Sequence, residues 1–366
     1  MKKKLKELLV YEQPGKYIVK TEKYSDEYVT PVLTAGKSFV LGYTDETEGI
    51  FYGTKEPVII FDDFTRDTKY VDFDFKVKSS AMKILHKCNK EDSLKYFHYA
   101  INSIKYTPFS HKRLWISDFS NFEVEYPTSE KQHEIVNRLD KIQAAIDNKK
   151  QQLALLDEAV KSKFVEMFGE NPVESGKWKV ENLGDVAEIK IGPFGSLLHK
   201  QDYIENGHCL VNPSHIKDGK IQVDYSLSVT DEKYNELKAY QLEINDIVLG
   251  RRGEMGRCAI VTENTLLCGT GSMIVRPNGK LKSFFLNFVL SSNVTKKYLE
   301  DNAIGVTMKN INEPLVKSIS VPVIPLSLQN QFAAFVQQID KAKSIAKQQL
   351  ADLQELLDSK MQEYFA

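Results

Sequence analysis

The sequence is poor in cysteine, has no long apolar run and carries no excess of either charge. Its four cysteines are widely spaced and form no Cys-x-x-Cys pair. This argues against a disulfide framework and indicates reduced thiols in a cytoplasmic protein. No run of about 18 apolar residues is present, so we expect no membrane span. The basic N-terminal segment is followed by an apolar stretch too short for a signal peptide.

The charge balance also limits the possible partners. There are 49 basic and 50 acidic residues, with a formal net charge of −1. The bulk charge therefore does not predict nucleic-acid binding, and any surface that binds DNA has to be locally basic. A chain of 366 residues with 42% hydrophobic residues is long enough for about two or three domains with cores of their own.

The chain contains one helical segment twice. Residues 150–168 and 347–365 align without a gap and are identical at 11 of 19 positions. Each copy ends a longer heptad pattern, in which apolar residues recur every three or four positions and form a narrow stripe suited to a helix–helix seam. The predicted seam residues are Ile135, Leu139, Ile142, Ile146, Leu153, Leu156 and Val160 in the first helix, and Phe332, Val336, Ile339, Leu350, Leu353 and Leu357 in the second.

The two helices alternate with two regions of mixed pattern. The predicted order is a first domain (1–128), a central helix (129–170), a second domain (171–325) and a C-terminal helix (326–366). Because the chain crosses a whole domain between the helices, we predict antiparallel pairing and an approximate two-fold arrangement. The fold class is therefore α+β, with two mixed domains separated by a long two-helix coiled coil. A coiled coil used only for dimerisation is the alternative.

Local patterns predict individual elements in the first domain. Val58–Phe61 and Tyr70–Phe75 are typical of strands, whereas Ala81–Leu85 and Asp92–Ile104 are expected to be helical. Ser129 is the expected N-cap of the central helix.

Several stretches carry a family likeness through their order along the chain. These are Thr30–Phe39, Pro57–Phe64, Trp178–Val186, Gly192–Ser196, Asn245–Gly253, Ala303–Ile311 and Ile324–Gln331. Together with the duplicated helix, they resemble the specificity (S) subunit of a Type I restriction-modification system over essentially the full length. Lys4–Leu8, at the start of the first domain, matches the opening of the second only loosely.

The resemblance implies a non-catalytic DNA specificity subunit. Each recognition domain would read one half of a bipartite target in double-stranded DNA, and the paired helices would set the spacer. The helices would also dock two modification subunits, which bind S-adenosylmethionine and methylate adenine. Restriction subunits, with ATP and Mg, would join to cleave DNA. Two alternatives stay open: a coiled-coil scaffold that reads no DNA, and a recognition chain of a combined methyltransferase and nuclease.

Candidate DNA contacts lie on loops that combine glycines with cations or amides, because such loops can reach phosphates and base edges. Each of these loops could equally be a plain surface turn. In the second domain the candidates are Gly195, Ser196, Lys200, Arg251, Arg252, Arg257, Lys309 and Asn310. In the first domain they are Lys37, Ser38, His111, Lys112 and Arg113.

Several apparent enzyme motifs fail in detail. The segment Ala35–Ser38 lacks the first glycine of a phosphate-binding loop, since Pro31 stands there. A nuclease cluster could be built from Asp62, Asp63, Asp74 and Lys76, but acidic residues that flank strands are expected to be solvated. His208, Cys209 and His215 lack zinc-ligand spacing. The Asn/Asp-Pro-Pro-Tyr/Phe motif of adenine methyltransferases is also missing, so we expect neither catalysis nor a metal or cofactor in this chain.

Overall fold

A computed structural model describes residues 1–34, 38–106, 113–305 and 309–365. The chain forms two compact units, one comprising Met1–Leu153 with Ile345–Ala366 and the other Ala154–Ser344. Each unit therefore contains one mixed domain together with a segment of each long helix. Within the described residues, no helix is long and apolar enough to cross a membrane.

The first unit contains two four-stranded sheets. Its elements in chain order are β1 (Lys2–Lys4), α1 (Leu5–Leu8), β2 (Leu9–Glu12), β3 (Thr30–Leu33), β4 (Val40–Thr44), β5 (Phe51–Tyr52), β6 (Val58–Asp62), β7 (Thr68–Val71), β8 (Asp74–Val77), β9 (Met82–Lys87), α2 (Leu94–Ser103), α3 (Leu114–Ser117), β10 (Glu123–Glu125) and α4 (Ser129–Phe168). One sheet has the order β2-β9-β6-β7 and is antiparallel throughout. The other has the order β4-β3-β8-β5, and β1 pairs separately with β10.

The second unit repeats this plan with different lengths. Its elements are β11 (Lys179–Asn182), α5 (Leu183–Val186), β12 (Ala187–Ile191), β13 (His208–Val211), β14 (Ile216–Lys217), β15 (Lys220–Ile221), β16 (Ser228–Val229), α6 (Asp231–Glu236), β17 (Ile247–Gly250), β18 (Cys258–Ile260), β19 (Leu267–Cys268), β20 (Ser272–Pro277), α7 (Ser283–Leu290), α8 (Asn293–Asn302), α9 (Glu313–Lys317), β21 (Ser320–Val323) and α10 (Leu326–Phe365). Its main sheet has the order β12-β20-β17-β18, antiparallel throughout.

The two domains share one topology although their sequences differ. In both main sheets the first strand in the chain pairs with the last. The last strand also pairs with a central strand, and the central strand pairs with its hairpin partner at the far edge. The openings also correspond, because Leu5 N donates to Phe122 O at 3.0 Å and Leu183 N donates to Ile319 O at 2.8 Å. The loosely matching segment Lys4–Leu8 therefore forms the same one-turn helix as its counterpart in the second domain.

The two long helices lie side by side in each unit. In the first unit, Leu139 and Leu357 belong to one apolar cluster, and Arg138 Nη1 donates to the Tyr364 hydroxyl at 3.3 Å. In the second unit, Lys343 Nζ lies 2.6 Å from Asp157 Oδ1. There Phe164 packs on Phe332 with ring centroids 5.6 Å apart, so the helices run antiparallel. The predicted α+β class, with two mixed domains and an antiparallel helix pair, is confirmed, while the two-fold arrangement stays a prediction.

A buried glutamine in the first turn of each helix joins it to its domain. Gln132 Oε1 accepts from Ser93 N at 2.9 Å, and Gln329 Oε1 accepts from Lys282 N at 2.8 Å. The Nε2 groups of Gln132 and Gln329 donate to the carbonyl oxygens five residues earlier. Ser93 and Lys282 are the N-caps of α2 and α7, where backbone N–H groups lack partners inside the helix. Each glutamine therefore supplies a side-chain acceptor to the N-terminal end of a helix.

Two local predictions for the first domain were wrong, and a third, the strand at Tyr70–Phe75, was right only in part. Ala81–Leu85 is not helical, because Met82–Lys87 forms β9 between β2 and β6, and a short apolar run does not distinguish helix from strand. Tyr70–Phe75 is divided between β7 and β8. The N-cap of the central helix is Thr128 instead of Ser129, since Thr128 Oγ1 accepts from Lys131 N at 3.4 Å.

Candidate nucleic-acid interface

Three glycine-containing loops of the second domain meet at one end of its main sheet. Ser272, the first residue of β20, lies between the ends of the two strands beside it. Gly192 N donates to Ser272 O at 3.0 Å on one side, and Gly250 pairs with Ser272 on the other. A Cβ on Gly192 would lie 2.1 Å from Gly269 O, so only glycine allows this approach. The loops that begin after β12 and β17, and the segment before β20, therefore form one edge.

The arginine-rich loop is a hairpin between β17 and β18. Gly250 N donates to Arg257 O at 2.8 Å and closes it, while Gly253 and Gly256 have φ values of +81° and +72°. The backbone of Arg251 is fixed on both sides, since its N–H bonds Gly271 O at 2.9 Å and its carbonyl accepts from Ile311 N at 3.1 Å. The hairpin is therefore held to two neighbouring loops by main-chain bonds that do not depend on side-chain identity.

The three arginines of this hairpin have different environments. Arg252 is exposed, and in the described part of the chain its guanidinium has no ion pair or hydrogen bond. Arg251 is half-buried and its Nε donates to Ile311 O at 3.3 Å. Burial and the neighbouring Arg252 charge lower the pKa of the Arg251 guanidinium. Because two like charges lie close together, a bound anion would be stabilised by both.

Arg257 already has partners within the domain. Its Nη2 lies 2.9 Å from Glu254 Oε2, and its Nη1 donates to Pro213 O at 3.2 Å. Lys296 Nζ lies 3.2 Å from Glu254 Oε1. Hydrogen bonds from Arg257 and Lys296 lower the pKa of the Glu254 carboxyl. Arg257 thus fixes the hairpin, and its contact with DNA stays a prediction.

Asn310 meets the hairpin from the loop that follows α8. It forms an isolated bridge with Arg252 and exchanges two backbone hydrogen bonds with Ile304, of 2.9 and 3.0 Å. Its Oδ1 is buried and has no hydrogen-bond partner within the ranges that the structure describes. The neighbouring Lys309 is exposed, and its Nζ donates to Glu300 O at 2.7 Å. Arg252 and Asn310 therefore present a cation and an amide side by side.

The loop after β12 presents small exposed residues and one aromatic ring. Gly195 and Ser196 are exposed, and Gly195 has a φ of +63°. Lys200 is exposed in the next short turn, Lys200–Asp202. Phe194 is 59% exposed. The sequence reasoning selected Gly195, Ser196 and Lys200 but missed Phe194.

The first domain has the same edge, built from the same backbone bonds. Asp62 N donates to Asp67 O at 2.8 Å and closes the hairpin between β6 and β7. Asp63 N bonds Ala81 O at 3.1 Å, and Leu114 N donates to Asp63 O at 2.9 Å. These bonds match those of Gly250 and Arg251 in the second domain. The hairpin of residues 63–66 is therefore equivalent to residues 251–256.

Other first-domain candidates lie around this hairpin. Because Leu114 corresponds to Ile311, the exposed Arg113 corresponds to Asn310. Ser38 is exposed, and Thr34 N donates to Phe39 O at 3.0 Å. Thr34 and Phe39 line one small cavity together with Asp62 and Asp67, so these two residues border the hairpin. Lys37, His111 and Lys112 lie outside the described residues.

Two acidic residues of the hypothetical nuclease cluster, Asp62 and Asp63, are not solvated, contrary to expectation. Asp62 and Asp63 are 4% and 1% exposed. Asp63 Oδ2 lies 3.0 Å from Lys83 Nζ, and Asp62 Oδ1 accepts from Phe64 N at 2.8 Å. These carboxylates are used inside the fold because the hairpin folds over them.

The other two members of the hypothetical nuclease cluster also have structural partners. Asp74 Oδ1 accepts from the Thr54 hydroxyl at 2.6 Å, and the buried Lys76 pairs with Glu46 at 3.0 Å. Across the described ranges, no three His, Cys, Asp or Glu residues are grouped so that they could hold a metal ion.

The predicted seam residues are all buried or half-buried. Ile135, Leu139, Ile146, Val160, Phe332, Val336 and Leu357 are at most 9% exposed. The half-buried members are Ile142, Leu153, Leu156, Ile339, Leu350 and Leu353. The structure adds Phe164 and Phe168, which contact Phe285 of α7. The helices thus pack on their domains as well as on each other.

Sequence comparisons place the chain beside one group of proteins. A family model described as the Type I restriction modification DNA specificity domain matches residues 1–158 and 175–355. The Type I restriction enzyme EcoR124I/EcoR124II specificity subunit of Escherichia coli is 44% identical over 211 residues, covering 53% of this chain and 52% of that protein. The MjaVIII specificity subunit of Methanocaldococcus jannaschii is 22% identical over 247 residues, covering 63% and 58%. The chain spans about half the length of the curated relatives it matches.

Solved structures show the same fold at low sequence identity. The Type I restriction-modification S subunit from M. genitalium superposes with a TM-score of 0.62 and 17% identity, over 100% of this chain and 96% of that one. A chain from a structural study of complex assembly and conformational transition of the Type I restriction-modification system superposes with a TM-score of 0.58 and 16% identity. The superposition covers 100% of this chain and 97% of that one. At these identities the likeness concerns the fold alone.

Proposed function

We propose that this chain, a member of the Type I restriction modification DNA specificity family, is the sequence-specificity subunit of such a system. Its two domains share one topology. Each domain reads one half of a bipartite target in double-stranded DNA. The paired helices set the distance between the halves.

One observation carries this proposal: the two domains hold different side chains on the same backbone framework. Arg251 and Asp63 occupy equivalent places, with both main-chain groups bonded to equivalent residues. Asn310 and Arg113 occupy a second equivalent pair of places. Different donors and acceptors at matching positions are what two unlike half-sites require, because base edges are distinguished by hydrogen-bond pattern.

The second edge has the chemistry for direct reading. The exposed guanidinium of Arg252 suits the O6 and N7 acceptors of guanine. The exposed Lys200 and Lys309 supply charge for phosphate contacts, which position a protein on the duplex without reading its sequence. The balanced net charge is compatible with this role, because Arg251 and Arg252 form a locally basic pair on one hairpin.

The duplicated helix supports the docking of two copies of one partner. Eight exposed residues form a stripe repeated in both copies: Ala154, Glu158, Ser162 and Glu166 in α4, and Ala351, Glu355, Ser359 and Glu363 in α10. The same ion pair also recurs, Lys163 with Glu166 and Lys360 with Glu363. Seam packing explains identical buried residues but not identical exposed ones. We propose that each stripe docks one modification subunit.

Catalysis in this proposal belongs to the partner subunits. S-adenosylmethionine would bind the modification subunits, and ATP and Mg would bind the restriction subunit. The candidate acidic cluster supports this division, because Asp62, Asp63 and Asp74 are held by structural partners. As a DNA-binding assembly, the complex is proposed to act in the cytoplasm.

The test is to map methyladenine in DNA from cells that express this chain with its modification subunits. We expect a motif in two parts with a fixed gap. Replacing residues 171–325 by the second domain of another specificity subunit should change one part of the motif. The other part, on the far side of the gap, should stay the same. A scaffold that reads no DNA would give no motif that depends on this chain, although the modification subunits bind it and are active.

A further inference from the structure

The hairpin of the first domain places Phe64 where the second domain has Arg252. Phe64 follows Asp63, and Arg252 follows Arg251. The backbone N–H and carbonyl groups of Asp63 and Arg251 are bonded to equivalent loops in the two domains. The strand registers agree, because Asp62 pairs with Met82 as Gly250 pairs with Ser272. The correspondence is therefore fixed by backbone hydrogen bonds and not by sequence similarity.

Phe64 is exposed without an evident role inside the domain. Its side chain is 49% exposed, and among the described residues its ring has no aromatic or cation partner. The backbone around it is nevertheless held firmly. Phe64 N and Thr65 N donate to Asp62 Oδ1 at 2.8 and 3.3 Å, and the Thr65 hydroxyl donates to Asp62 Oδ2 at 2.6 Å. The ring is presented on a rigid turn.

Two of the three carboxylates of this hairpin, Asp62 and Asp63, are buried, whereas Asp67 is exposed. Asp63 accepts from Trp115 N at 3.0 Å and pairs with the fully buried Lys83. Asp62 is used by the turn. Arg66 has a φ of +66°, and its Nη1 donates to Ile104 O at 2.8 Å, which ties the hairpin to the chain segment leading towards Arg113. The exposed tip therefore offers an aromatic ring, while the carboxylates of Asp62 and Asp63 beneath it are turned inwards.

We infer that Phe64 is a specificity-determining residue of the first domain, which contacts a base of the first half-site through its ring. The inference rests on the proposed function. A phenyl ring has no hydrogen-bond donor, so its base contact is apolar, with a thymine methyl group or with the face of an unstacked base. An arginine at the same place in the second domain instead selects hydrogen-bond acceptors. The two half-sites thus differ at the positions that these two residues reach.

The experiment selects bound sites from random duplex DNA with the full chain and its modification subunits. Phe64→Ala should make one position of the first half-site degenerate and weaken binding about tenfold, the usual size of a good base contact. Phe64→Arg should change the preferred base there. Arg252→Ala should affect the second half only. The control is Tyr52→Ala, an aromatic side chain of matched exposure (50%) in β5, which should leave the whole motif unchanged.

The outcomes separate the inference from the proposed function. The second half of the motif reports folding and assembly, so its retention in Phe64→Ala and Phe64→Arg shows that the chain is intact. An unchanged first half in both variants, while Arg252→Ala degrades the second half, would overturn the role of Phe64 and leave the specificity function standing. Replacing thymine by deoxyuridine in the first half-site removes only the methyl group of the base. If Phe64 contacts that methyl group, the replacement should weaken binding of the wild type and leave binding of Phe64→Ala unchanged. A 2-aminopurine signal that depends on Phe64 identifies an unstacked base instead.

Discussion

Replacing Gln329 with leucine removes the buried contact between the second domain and the start of its C-terminal helix. The side chain is 1% exposed. It accepts from Lys282 N at 2.8 Å and donates to Ile324 O at 2.6 Å and to Lys280 O at 3.3 Å. Leucine has similar volume but cannot make these bonds, so the substitution isolates the hydrogen bonding.

The expected loss follows from the groups left without partners. Three hydrogen bonds of the buried Gln329 side chain are lost, and each contributes about 1 kcal/mol. The free energy of unfolding should therefore fall by about 3 kcal/mol, roughly a hundredfold in the unfolding equilibrium. For a unit of this size, that corresponds to a decrease in Tm of about 6–12 °C.

Thermal unfolding of the full chain, followed by hydrogen exchange at the Lys282 amide, tests this prediction. Gln331→Leu, two residues away and exposed, is the matched control and should change stability by no more than about 0.5 kcal/mol. Gln132→Leu should destabilise the first unit in the same way. If Gln329→Leu resembled its control in both measurements, the glutamine would not hold the helix end and the reasoning would fail.

Three further predictions concern DNA and pH. Lys200→Ala should reduce the slope of log K against log salt by about 0.9, because its exposed ammonium is proposed to contact a phosphate. Arg257→Ala should mainly lower Tm, because that residue bonds Glu254 and Pro213. An equal salt slope for Lys200→Ala and the wild type would contradict the phosphate contact. Phe194→Ala should weaken DNA binding without altering the slope of log K against log salt. The control is Ile244→Ala, at a 49% exposed residue three residues before β17, which should leave binding unchanged. Equal effects of the two substitutions would refute a contact by Phe194. Burial lowers the pKa of His98 to about 4 against about 6.5 in the unfolded chain, so the unfolded state binds the extra proton and stability should fall as pH drops from about 6.5 to 4. Urea unfolding should show a flatter dependence for His98→Asn, and an unchanged profile would show that His98 is not responsible.

The helix pair was predictable because its signal is local and repeated. The heptad spacing of residues such as Leu139 and Val160 needs only the period of a helix to be recognised. Strand assignments were less secure. Ala81–Leu85 was mistaken for helix because its burial depends on two flanking strands and on the pairing of Lys83 with Asp63. These partners lie far away in sequence.

The candidate interface was predictable in one domain and largely hidden in the other. Arginines and glycines mark residues 251–257, so the second edge could be found by composition. The equivalent hairpin of the first domain has aspartates and Phe64 in place of that signal, and the glycines at 269 and 271 were missed because they lie far along the chain from Gly192. Arg113 and Asn310 were each selected, but their equivalence could not be seen.

The sequence by itself determined the order of domains and helices, the seam of the paired helices and the absence of recognisable catalytic motifs, because these depend on local period and residue type. The tertiary structure alone decided which loops meet at a strand end, which carboxylates are turned inwards, and that Phe64 stands in the place of Arg252. Those features depend on backbone hydrogen bonds such as Leu114 to Asp63 and Ile311 to Arg251. Such bonds join distant segments through main-chain groups that every residue carries, so they leave no mark in the sequence.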